Sequence, residues 1–341
     1  SRYSACLCTS ECHEQGVDMN RTAIASRVGV ALSRSRPDEA IEQIRRAEAA
    51  GVGTAWTTMS AGGYDVLTTC AIAAARTERI TLGTSIVPAF TKHPLGLATQ
   101  ALAIDAIEPG RLRLGIGTSH GPMMQSYGFA PDHPLRAHPL EWLREYTVVA
   151  RTAIREGQVS FHGNIFTSEI RMAASAPIPV LISALRPNAW ELAGEVSDGG
   201  ISWICPVDYL IQEALPAMQR GADRAGRERP PLVAHVPVAL STDLEAVRAA
   251  ARSRLAGYAR LPFYRKMFEA AGYQLGDSEG YADDLLDHLI LSGDDQAVVD
   301  RLTTLLDQGL DELLVMLIPV DDQVTEEDRL LRLIGEMSEM G

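Results

Sequence analysis

A chain of 341 residues, 46% hydrophobic and 22% charged, can bury a large core in one domain or two. No apolar run approaches the ~20 residues that a membrane span needs. A net charge of −13 disfavours nucleic acid or an anionic membrane as the main partner, since both reward a basic surface. The composition therefore leads us to expect a cytoplasmic protein with a small-molecule substrate.

The first residues carry Cys6, Cys8, Cys12 and His13, a spacing that matches no common zinc module. Residues 1–22 have neither hydrophobic periodicity nor a signal-peptide core, and are expected to be a disordered leader before a single domain over residues 23–341. Cys70 and Cys205 stand alone. Five cysteines without a framework fit a reducing compartment.

From residue 26 onward, short apolar strands alternate with amphipathic helical stretches. RVGVAL (27–32) leads into a helix opened by Pro37 and closed before Gly51. GTAWTT (53–58) and a helix follow, then RITLGTSIV (79–87), the helix LGLATQALAIDAI, and RLRLGIG (111–117) with the long helix after it. A segment over roughly 158–177 breaks the rhythm before PVLIS (179–183) and its helix. GGISW (199–203), LVAHVPVAL (232–240) and DELLVMLI (311–318) are the remaining strands, with a second insert at about 259–280.

Eight strand–helix units predict a closed (β/α)8 TIM barrel, with insertions after the fourth helix and between the seventh and eighth strands. An open doubly wound sheet should begin with a glycine-rich turn, and ALSRSRPDE contains no glycine. GVGTAW, at 51, leaves a helix and enters a strand, the wrong polarity for that fingerprint.

In such a barrel the site lies at the carboxyl ends of the strands. These carry Thr57 and Thr58, Ser85 and Ile86, Gly117 to His120, Ser183 to Arg186, Ser202, Trp203 and Cys205, with His235 inside the seventh strand. The mouth is rich in hydroxyls and poor in strong acids. It offers no converging metal ligands, no G-x-S-x-G elbow and no pair of carboxylates for glycoside hydrolysis, so a cofactor is expected to carry the chemistry.

The stretch RITLGTSIVPAFTKHPLGLATQALAIDAIEPGRLRLGIGTSHGP resembles the strand 3 to strand 4 signature of the bacterial luciferase-like superfamily. It is most similar to the branch that uses the deazaflavin coenzyme F420. The resemblance runs from about Val28 to about Val320, through VSFHGNIF, PVLISALRPNAWELAGEVSDGGISW and DQGLDELLVML. It implies a luciferase-like barrel and an F420-dependent oxidoreductase transferring a hydride between the deazaflavin C5 and a small organic substrate, within a homodimer. FMN-dependent monooxygenation and non-catalytic cofactor binding are the alternatives.

Residue by residue, the resemblance implies a cis peptide at Ser85–Ile86 that backs the ring. It also implies a strand 4 loop of Gly117, Thr118 and Ser119 at the ring edge, with His120 as catalytic acid/base. A phosphate-binding turn falls at Ser183, Ala184, Leu185 and Arg186. Relatives often have Gly-Gly where Leu185 and Arg186 stand, which gives Arg186 a charge-assisted phosphate contact. Some relatives have Asp-His where this chain has Thr58-Met59, leaving Thr58 to bond the ring. Trp203 is expected beside the cofactor tail or in plain core. Lys92 and His93 are expected to face the ring or tail, or His93 to cap the next helix. Tyr264 and Arg265, in the second insert, are expected at the surface, or else reaching over the mouth as substrate contacts.

Overall fold

The computed structural model describes residues 27–339, apart from residues 33, 35, 61, 274 and 276–279. The expected leader, with Cys6, Cys8, Cys12 and His13, lies outside the described residues. Eight parallel strands form the barrel: β1 (Val28–Ala31), β2 (Thr54–Thr57), β3 (Thr81–Thr84), β4 (Leu112–Gly117), β5 (Val180–Ser183), β6 (Gly199–Ile201), β7 (Leu232–Ala239) and β8 (Glu312–Leu317). Neighbours pair in chain order, and β8 closes the ring on β1 with Val28 opposite Leu313. This is the predicted (β/α)8 architecture, and β1 and β5 face each other across it.

Three of the helices between strands start where an aspartate offers an acceptor to a free N–H group. Asp65, Asp243 and Asp294 accept from Thr68, Ala246 and Ala297, opening Val66–Ala74, Leu244–Ala259 and Asp295–Asp307. The helical run after β6 departs from the expected continuous α-helix. Pro216 has no N–H to donate, and the turn before it, Leu210–Ala214, widens to a π-helix before Leu215–Arg224 resumes.

Inward positions on a strand alternate with outward ones, so the barrel fills in layers. At its floor Arg113 bonds Glu312 at 2.9 Å, and the guanidinium lies 4.9 Å over the Trp56 ring. Above it, Trp56 packs with Leu181, Ile201, Val233 and Leu314 in a cluster separate from the outer core. Gly83 makes room for the indole: a Cβ there would fall 2.2 Å from the Trp56 ring.

β3 breaks where the resemblance implied it would. After Thr84 the Ser85–Ile86 peptide is cis, and the strand resumes at Val87–Pro88, paired with Ile116 and Gly117 of β4. The first insert, expected only as an irregular stretch, is an antiparallel hairpin of Gln158–His162 and Thr167–Arg171. Its turn is tied to the preceding helix by Glu145, whose carboxylate accepts from the N–H groups of Asn164, Ile165 and Phe166. The second insert contains the helix Pro262–Ala270. Among the described residues no helix is long and apolar enough to cross a membrane.

Candidate functional site

Two of the small hydroxyl residues that interrupt β3 do different work. The buried Thr84 side chain donates to the Gly115 carbonyl at 2.8 Å and accepts from its N–H at 2.9 Å, fastening β3 to β4 where the bulge begins. Ser85 turns to the mouth. Its N–H donates to the Thr57 carbonyl at 2.7 Å, and its hydroxyl lies 3.3 Å from that of Thr58. Ile86 reaches the next strands: a Cβ on Gly117 would stand 3.1 Å from the Ile86 methyl and 2.1 Å from the Ser183 hydroxyl. Thr58, Ser85, Ile86, Gly117 and Ser183 thus form one contiguous floor across β2 to β5, of small residues apart from Ile86.

Thr118 and Ser119 continue from β4 half-buried. Ser119 adopts the left-handed region, φ 63°, uncommon for a residue with a Cβ, and its hydroxyl donates to the Met123 sulfur. The turn places His120 under the second insert. Its ring packs against Tyr264 with centroids 5.5 Å apart, and its Nδ1 is buried without a hydrogen-bond partner. Burial pushes the imidazole pKa down. Burial thus favours the uncharged imidazole, which can accept a proton, within the acid/base role expected of His120.

On the opposite wall, Trp203 follows β6 and stacks on His235 of β7, with centroids 3.8 Å apart and planes 30° from parallel. His235 Nδ1 accepts from the Ile204 N–H at 3.1 Å, its Nε2 has no partner, and complete burial lowers its pKa to about 3. The Trp203 indole N–H is also buried without a well-formed hydrogen bond, close to the Tyr258 hydroxyl.

Beyond β5 the buried Ala184 donates its N–H to the Ile201 carbonyl, and the Leu185 carbonyl accepts from the Tyr209 hydroxyl at 3.0 Å. Arg186 precedes the helix Pro187–Val196 in an extended conformation, exposed and with no side-chain partner among the described residues. It stands at the rim, apart from the floor.

A cavity of about 300 Å³ opens on the β1–β2 side of the mouth, between the strand ends at Ala31, Thr57 and Met316 and the helix Leu244–Ala259. Thr58 and Trp203 line it, and Trp203 also packs against the hydrophobic core. Arg34, Arg254 and Tyr258 line it too. Sequence reasoning missed these three; the one available signal was the i, i+4 spacing of Arg254 and Tyr258 on the helix after β7.

Three other expectations change. Tyr264, expected at the surface, is 2% exposed because its helix folds inward over His120. Arg265 is half-buried and donates to the Leu275 carbonyl. Lys92 does not meet the mouth as a free charge: it pairs with Asp65 at 2.6 Å. His93 takes its alternative role, its Nδ1 accepting from the Leu95 N–H as a helix cap.

The arrangement fits a planar, polar ring system. Four buried ring nitrogens lack a well-formed hydrogen bond among the described residues: those of His120, Trp203 and His235 at or near the carboxyl ends of the strands, and that of Trp190 on the helix after β5. Buried polar atoms left this way are the exception in folded proteins and ask for a partner.

Comparison with known proteins agrees with this architecture. The chain is 30% identical to an F420-dependent glucose-6-phosphate dehydrogenase of Nakamurella multipartita over 274 residues, 77% of each chain. The solved F420-dependent tetrahydromethanopterin reductase of Methanopyrus kandleri superposes with a TM-score of 0.75 at 22% identity, covering 91% of this chain and 97% of that one. The FMN-bound oxygenating constituent of a Pseudomonas putida 3,6-diketocamphane monooxygenase gives a TM-score of 0.70 at 18% identity, covering 92% and 97%. The family model for luciferase-like monooxygenase matches residues 19–312, and with that span and this barrel the chain belongs to the luciferase-like family.

Proposed function

We propose that this protein is an F420-dependent oxidoreductase acting on a small organic substrate. The observation that carries the reading is the mouth itself: hydroxyls, glycine and unpaired ring nitrogens surround a flat floor that itself supplies no strong acid or nucleophile. Such a site holds a reagent rather than being one. The glucose-6-phosphate dehydrogenase relative, named for F420, supports the choice of coenzyme.

When bound, a deazaflavin supplies two-electron hydride chemistry that side chains lack. Ser85, Ile86 and Gly117 would support the ring, with Thr118 and Ser119 at its edge and Thr58 bonding its polar rim. Leu185 and Arg186 would hold the phosphate through backbone N–H groups at the start of the helix and through the guanidinium, with Ser183 and Ala184 fixing the turn to the barrel by their pairing with β6. Trp203 closes the pocket opposite. His120, uncharged at neutral pH, is suited to take the proton that leaves a substrate hydroxyl as the carbon is oxidised. We further propose a cytoplasmic homodimer.

FMN is the second reading, favoured by the FMN-bound Pseudomonas neighbour on the same fold. Separate titrations of the purified protein with F420 and FMN, followed by fluorescence quenching, decide between them. Tighter F420 binding is expected; preference for FMN would overturn the proposal and direct attention to oxygen as co-substrate.

A further inference from the structure

The mouth has two cationic poles. Arg186 follows β5 and Arg34 follows β1, and these strands are four apart in a ring of eight, so the two arginines stand across the opening from one another. The Arg34 pole is the cavity on the β1–β2 side. Its lining includes Arg34 and Arg254 and not one carboxylate, in a chain with a net charge of −13. Local reversal of the global charge calls for a local explanation.

The two cations differ. Arg34 is matched by Glu327 at 2.9 Å, a carboxylate whose side chain is 5% exposed. Arg254 has no ion pair or side-chain hydrogen bond among the described residues, and Tyr258 stands one helical turn from it on the same helix. Arg254 is exposed, so the one unpaired protein charge of the cavity is a positive one at its open edge. Ser60, Tyr64 and Tyr258 add hydroxyls, Leu32, Val66, Leu255 and Met316 add an apolar wall, and the volume falls at the small end of ligand pockets.

We propose that this cavity is the substrate subsite and that it selects an organic monoanion, a carboxylate on a small apolar body, through Arg254 with Tyr258 beside it. This rests on the oxidoreductase reading of the mouth and names its substrate class. A carboxylate matches one uncompensated guanidinium; a dianionic phosphate ester would leave a charge unmet.

The test uses the full chain, saturated or not with F420, and three probes of one shape: benzoate, benzamide and phenyl phosphate. Binding is read by calorimetry and by quenching of tryptophan fluorescence, since Trp203 lines the cavity. Benzoate is expected to bind at least about tenfold more tightly than benzamide in low salt, the value of one charge-assisted contact. Arg254→Ala should remove that preference and Arg254→Lys retain most of it, with F420 affinity within about twofold of the parent in both. Equal binding of benzoate and benzamide, no binding by any probe, or an Arg254→Ala variant that keeps the preference overturns the proposal. Tighter phenyl phosphate replaces the monoanion class with a dianion and so also overturns it. Loss of F420 affinity in Arg254→Ala would reassign the guanidinium to the coenzyme. Failure of F420 to bind the parent protein strikes the functional reading instead, and the two failures are read in separate titrations.

Discussion

Tyr264 covers His120: the rings lie 5.5 Å apart, tilted by 54°, and the tyrosine is almost wholly buried. The lowered pKa of the histidine follows from this burial. Tyr264→Ala should admit water and bring the His120 pKa back up toward the ordinary ~6.5 of a free imidazole. The shift is read from the ring-proton NMR titration, with His120→Gln assigning the signal. An unmoved titration would show that other neighbours desolvate the ring.

His120→Ala should slow turnover by about 10² to 10⁴, the usual range for losing a general base, with F420 affinity little changed. The parent rate should rise with pH through the depressed His120 pKa as the imidazole loses its proton, and that limb should vanish in the variant. A fully active variant would remove His120 from the chemistry.

Arg186→Ala should weaken F420 binding, and the difference from the parent should shrink as salt is added, because an exposed guanidinium is screened. Titrations at low and high ionic strength measure it. Equal affinities at every ionic strength would leave the phosphate to the backbone N–H groups alone.

His235 makes acid stability a testable property. Its folded pKa, about 3, lies below the unfolded value of ~6.5, so between them the unfolded chain binds the extra proton. Its contribution to stability is full above pH ~6.5 and falls with pH at up to about 1.4 kcal/mol per unit. In His235→Asn, urea unfolding from pH 7 to 4 should show a shallower loss. Parallel curves would mean that other groups dominate the acid limb.

Trp56→Ala should destabilise the protein by about 3–5 kcal/mol, the range for deleting a large buried aromatic. Gly83 can relax little into the void, having no side chain to offer. Denaturant melts at neutral pH provide the measurement.

The barrel was legible because alternation of apolar strands with amphipathic helices is a local signal repeated along the whole chain. The break in β3 was legible through the resemblance, which implied a cis peptide at Ser85–Ile86. What the letters could not separate was Thr84 from Ser85: one hydroxyl ties two strands together and the next faces the mouth, a difference set by the bulge. Tyr264 escaped for another reason. Its burial depends on a helix in the late insert folding back over a loop that follows β4, and no periodicity within either segment records that meeting. Arg254 shows the same limit, since nothing in the letters says that this arginine of an outer helix borders a cavity.

Trp56 settles how traffic through this molecule must run. With its indole wedged between Gly29 and Gly83 and an ion pair beneath it, the barrel axis is stoppered, and the mouth is a blind well. Any molecule the mouth admits must therefore leave by the way it came.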